Sequence, residues 1–151
     1  MTEVFFYHLT NQPLEQTLPK LLGLARKAGW RIAIRGKTAE RLEWLDQKLW
    51  LEDGFLPHGV AGGEHDGDQP ILLTDGQAGN APDCLISIDG ADVDPAEVSG
   101  LKRAMILFDG NSGDAVAFAR TQWKALTEAD LPAKYWSQES GPWEMKAQHP
   151  A

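Results

Sequence analysis

Cysteine is almost absent: Cys84 is the single one in 151 residues, so no disulfide can close within the chain. It opens the apolar run CLISI (84–88), where a buried core thiol is the ordinary reading. Long apolar runs are also missing. No segment nears the ~20 apolar residues that span a bilayer, and the opening MTEVFFYHL lacks the basic start and apolar stretch of a signal peptide. A soluble, cytoplasmic protein with no membrane partner is expected.

Positive charge is scarce, with 14 Lys and Arg against 22 Asp and Glu and a net charge of −8. A protein that grips a phosphate backbone normally presents a broad basic face, so weak or no direct nucleic-acid binding is expected. The imbalance is uneven: residues 1–42 hold 7 basic and 3 acidic side chains, 43–99 hold 1 and 13, and 100–151 hold 6 and 6. The middle third reads as a solvated acidic surface.

Signatures of catalysis are missing too. HLTNQPLEQ stands where GxGxxG would follow a first strand, GxxxxGK[ST] occurs nowhere, and GVAGGE follows FLPH and no clear strand. The four histidines show no HExxH spacing, and EHDGD (Glu64, His65, Asp66, Asp68) reads as a solvated acidic loop. DGADVD (Asp89, Asp92, Asp94) lacks the glycine and the closing glutamate of an EF-hand, Gly100 standing at the twelfth place, so a turn and a helix start are expected there. No serine lies in GxSxG. Catalytic residues, metal and cofactor are all expected to be none.

What is present is an alternation of short apolar runs with helical patterns. Strands are expected at 3–9, 31–36, 70–75, 84–89 and 104–110, bounded by Gly, Pro, Asp and Asn. Helices are expected at 14–28, 38–51 and 112–128, with Thr38 and Ser112 as N-caps, a kink or late start near Pro19, and a short turn after Asp94-Pro95. Continuously apolar strands with helical crossovers imply a three-layer, mostly parallel α/β sheet flanked by helices, in a single domain over 1–151. The stretches AGGEHDGDQP and DGQAGNAPD read as loops flanking one strand.

Two clusters invite a functional reading. On the 112–128 helix, Ala115, Phe118, Ala119 and Leu126 share what is taken as the core face, while Val116, Arg120, Trp123 and Thr127 lie roughly 140° away with Lys124 at their edge. An indole flanked by two cations suits an apolar side chain joined to a carboxylate, as in an acidic peptide tail. Equally open is that Trp123 packs under a C-terminal segment and that Arg120 and Lys124 are ordinary surface charges. In the 38–51 helix Leu42, Leu45 and Leu49 share a face, Trp44 points away and Trp50 lies at the margin. With Phe55 and Pro57 beyond it, that region is an apolar partner surface or a seal on the end of the sheet.

The sequence resembles the chi subunit family of the bacterial DNA polymerase III holoenzyme. The likeness rests on VFFYHL at the start, on Leu45, Asp46, Leu49, Trp50, Phe55, Pro57, His58, Ala61 and Gly62, on LIS in the fourth strand, and on AR..WKAL near the end. It implies a Rossmann-like fold without a nucleotide and a non-enzymatic accessory subunit of the DNA-directed DNA polymerase complex. It also implies binding to the acidic C-terminal tail of the single-stranded-DNA-binding protein, linked through a psi subunit to the clamp loader. The family's tail-binding Arg, aromatic and Lys correspond to Arg120, Trp123 and Lys124, with Trp where Tyr is common, and Val116 joins them on the helix face. Trp50 and Phe55, with Pro57 and His58, correspond to the psi-facing surface. The ending KYWSQESGPWEMK makes residues 134–151 a C-terminal extension relative to the family's best-known members. The alternative is a small α/β nucleotide-binding protein or enzyme whose two Gly- and Asp-rich loops close over a ligand.

Overall fold

The strands form one sheet in the order Gly59–Val60, Ile71–Thr74, Ile32–Arg35, Cys84–Ser87, Arg103–Asp109, Glu3–Leu9, Ala133–Ser137 and Glu144–His149, parallel throughout except for the last. The computed structural model describes residues 2–10, 14–50, 58–62, 66–76, 79–137 and 143–150. The elements are β1 (Glu3–Leu9), α1 (Leu14–Lys27), β2 (Ile32–Arg35), α2 (Ala39–Trp50), β3 (Gly59–Val60), β4 (Ile71–Thr74), β5 (Cys84–Ser87), α3 (Pro95–Val98), β6 (Arg103–Asp109), α4 (Gly113–Glu128), β7 (Ala133–Ser137) and β8 (Glu144–His149). The five strands and the helices expected from the sequence are all present within a few residues. Helix α1 begins at Leu14 and runs through Pro19, so the late start does not occur.

The central strands are buried on both faces, which is why they read as unbroken apolar runs. On one face α1 and α2 bring Leu18, Leu22, Leu42, Leu45 and Leu49 onto Ile32, Ile34 and Leu107. On the other, α3 and α4 bring Val98, Ala119 and Leu126 onto Val4, Phe6 and Ile106. Capping explains the helix starts: Arg41 N donates to Thr38 Oγ1 at 3.2 Å, Ala115 N to Ser112 Oγ at 3.3 Å, and Ala96 N to Asp94 Oδ1 at 2.9 Å. Asp94 is therefore the helix start expected in DGADVD.

Three strands were not expected. β3 has only two residues, and β7 and β8 carry mostly half-exposed or exposed side chains. Residues 133–137 and 144–149 thus continue the sheet, with β7 lying parallel on β1 and β8 antiparallel on β7. Gly110, at the end of β6, is required by a close approach: a Cβ there would sit 1.8 Å from the His8 ring.

The loops around β4 are tied to each other and to β2. Arg31 Nη1 donates to the carbonyls of Gly67 and Asn80, and the buried Asn80 amide donates to the carbonyls of Ile32 and Gln69. These anchors secure the sheet at the start of β2.

Cys84 is buried as expected, and burial pushes its thiol from the ordinary 9.0 up to about 12 against the lowering pull of Arg103. Burial likewise raises the Tyr7 phenol from 10.0 to about 12. Both folded-state values lie above the unfolded ones, so their contribution is fully present below pH 9 and is lost as pH rises toward 12. Each group should contribute a slope of up to about 1.4 kcal/mol per pH unit in that window. Urea midpoints should fall between pH 9 and pH 11 and fall less in Cys84→Ala; equal slopes in the two proteins would contradict the buried-thiol account.

Candidate partner-binding surfaces

Helix α4 buries Ala119, Gln122 and Leu126. Gln122 is a core residue despite its polarity because its Oε1 accepts from Val93 N at 3.1 Å and so fastens the loop before α3. With the core centred on these three, Trp123 lies only roughly 70° from it, Arg120 roughly 130° and Lys124 roughly 170°. The sequence pattern alone sets the indole farther from the core, with half-buried Phe118 on the core face and Gln122 off it.

Trp123 is half-buried, and its indole meets Phe6 edge-on at 5.3 Å and Tyr135 at 6.2 Å, while Phe6 and Tyr135 stack at 6.4 Å. The Tyr135 hydroxyl hydrogen-bonds His8 Nδ1 at 2.9 Å, fixing the ring that backs the indole. Trp123 does therefore pack against the C-terminal segment, through β7, yet part of its ring remains at the surface. Opposite Tyr135 on β8 stands the exposed Ala147, so the sheet continues beside α4 with a small side chain on the same face.

Arg120 and Lys124 are exposed, and among the described residues neither forms an ion pair. They stand one turn apart, with half-buried Val116 one turn before Arg120 and packed with Trp123 on the core. The four residues are thus brought together: an aromatic and aliphatic edge backed by packed rings, bordered by two cations. Such an arrangement can bind an apolar group carrying a carboxylate.

The second surface lies at the end of α2. Leu42, Leu45 and Leu49 turn inward, as expected. Trp44 is half-buried, with the Arg41 guanidinium 4.2 Å above its ring, and Arg41 in turn grips Asp89 through Nε at 3.0 Å and Nη2 at 3.2 Å. His58 does not present its side chain to solvent: it is buried, with Nε2 2.9 Å from Asp46 Oδ1. Through this pair and the Asp46 carbonyl at 3.2 Å, His58 is fixed to α2 just before β3. The side chain of Trp50, and all of Phe55 and Pro57, lie outside the described residues.

Among the described residues no group of three or more His, Cys, Asp or Glu could hold a metal ion, and no helix is long and apolar enough to cross a membrane. Comparison with curated protein sequences gives no match. The family model described as DNA polymerase III chi subunit, HolC, matches residues 1–134, which takes in α2, α4, Val116, Arg120, Trp123 and Lys124, and the strands through the start of β7, while Tyr135 and Ala147 lie beyond it. The chain belongs to the DNA polymerase III chi subunit family, whose members serve DNA replication as accessory and not catalytic subunits of that polymerase.

Proposed function

We propose that this chi-family chain captures the acidic C-terminal tail of single-stranded-DNA-binding protein on α4, and that the surface at the end of α2 joins it to a psi subunit or another clamp-loader subunit. The observation that carries the first half is the pair of exposed cations, Arg120 and Lys124, which among the described residues have no ion-pair partner, beside the half-buried Trp123 edge. In a chain of net charge −8 such a pair gives a local attraction for a carboxylate while the rest of the surface repels nucleic acid. Val116 and Trp123 supply the apolar contact, and Arg120 and Lys124 pair with the carboxylates. The whole chain, residues 1–151, acts as one domain in the cytoplasm, with the C-terminal segment setting Tyr135 and Ala147 beside the tail site.

Trp50, Phe55 and Pro57 form the contact with the second partner, next in sequence to His58, which pairs with Asp46 of α2. Pull-down from cell extract on the wild-type chain should recover both single-stranded-DNA-binding protein and clamp-loader subunits. Phe55→Ala should reduce recovery of the clamp-loader subunits several-fold and leave tail-peptide affinity within about twofold. Loss of both together in a folded variant contradicts two separate surfaces, and an unfolded Phe55→Ala means that this ring seals the sheet.

A further inference from the structure

The sheet carries a feature that neither partner surface uses. Strands β1 and β6 are neighbours, yet the chain leaves β1 for α1 on one face and leaves β6 for α4 on the other. Where connections diverge in this way, an open α/β sheet forms a crevice at the carboxyl ends of its strands. Here that crevice encloses about 850 Å³, within the range of sites for small organic ligands.

Its chemistry is specific. Trp44 from α2 lines one wall and Phe118 from α4 the other, over a floor that includes Leu107 and Phe108. Lys37 stands on the α2 side and Asp109 and Asp114 on the α4 side, while Arg41 and Asp89 neutralise each other. The charged lining is thus two cations against three carboxylates, which disfavours an anion. The start of α4 adds to that preference, because Ser112 Oγ already accepts from Ala115 N and Asp114 places a carboxylate in the first turn. Asp89, at the lip, holds left-handed backbone at φ 54°, a cost for a residue other than glycine of the kind that concentrates at binding sites.

We propose that this crevice binds an unphosphorylated nucleoside or nucleobase. A flat heteroaromatic ring suits a crevice lined by Phe118 and by the Arg41 guanidinium stacked on Trp44, and its edge both donates and accepts hydrogen bonds, matching an ammonium on one side and carboxylates on the other. A ribose diol donates to a carboxylate in the same way. Phosphates meet Asp109 and Asp114 and are rejected. The site is independent of tail binding, which uses the flank of α4 bearing Arg120.

The test is saturation-transfer NMR and calorimetric titration of the full chain with adenosine, guanosine, cytidine and thymidine, each against its 5′-monophosphate. At least one nucleoside should bind saturably, with its monophosphate about tenfold weaker or more. Phe118→Ala should weaken the nucleoside about tenfold, and Asp114→Asn, an exposed change that should not disturb folding, should narrow the gap between nucleoside and monophosphate. The proposal is overturned if none of the four nucleosides saturates, if a monophosphate or short oligonucleotide binds more tightly than its nucleoside, or if Asp114→Asn leaves that gap unchanged.

Discussion

Replacing Phe6 by Ala should lower the free energy of unfolding by about 3–5 kcal/mol. Phe6 is fully buried at the middle of β1, a strand hydrogen-bonded on both sides, with Ile106 of β6 opposite it on one side and Tyr135 of β7 on the other. Its ring is the common neighbour of Trp123 at 5.3 Å and Tyr135 at 6.4 Å, so truncation removes two aromatic contacts along with the buried area. Flanking strands fixed by parallel ladders cannot close in on the void, which places the change toward the upper part of that range. Urea unfolding followed by circular dichroism measures it, and a loss below about 1 kcal/mol would mean that the aromatic cluster is not the core of this face.

Trp123→Ala should act on stability and binding together. Its half-buried indole contributes less to the core than Phe6, so a loss of about 2–3 kcal/mol is expected, with acidic-tail affinity falling about tenfold or more. Trp123→Phe separates the two effects: a smaller ring keeps the edge contact with Phe6 and should recover most of the stability. If Trp123→Ala weakens folding and leaves tail affinity unchanged, the indole is a packing residue alone.

The parts of the fold legible in the sequence are those whose burial is two-sided or whose ends are capped. β2, β4 and β5 show no exposed position, so composition alone marks them, and Ser112 announces α4 through its side chain. β7 and β8 were hidden because AKYWS and EMKAQH lie toward one edge of the sheet, where side chains stay partly in water. Their places are decided by the ladder that β1 leaves free, a long-range fact with no local pattern.

The α4 surface was legible as a set and misjudged in its depth. Arg120 and Lys124 are exposed, as ordinary helix charges announce. Trp123 lies nearer the core than expected because Phe118, apolar by letter, is only half-buried, so the true core face is centred on Ala119, Gln122 and Leu126 and the indole packs at its edge. His58 misled in the same way: its imidazole is buried because Asp46 and the α2 backbone satisfy it, a pairing that no spacing rule reveals.

Tail binding itself is tested most directly by fluorescence anisotropy of a labelled acidic peptide ending in an apolar residue, titrated with wild type and with the Arg120→Ala, Lys124→Ala double variant. Each shielded, charge-assisted contact is worth about 1.5–3 kcal/mol and each exposed one much less, so the pair together should account for roughly tenfold to a hundredfold in affinity. Both side chains are exposed and lie away from the buried face, so the circular dichroism melt should be unchanged. Wild-type affinity should also weaken as salt rises, since the attraction is screened. A folded double variant that binds the peptide as tightly as wild type, with the same salt dependence, would contradict tail recognition by α4.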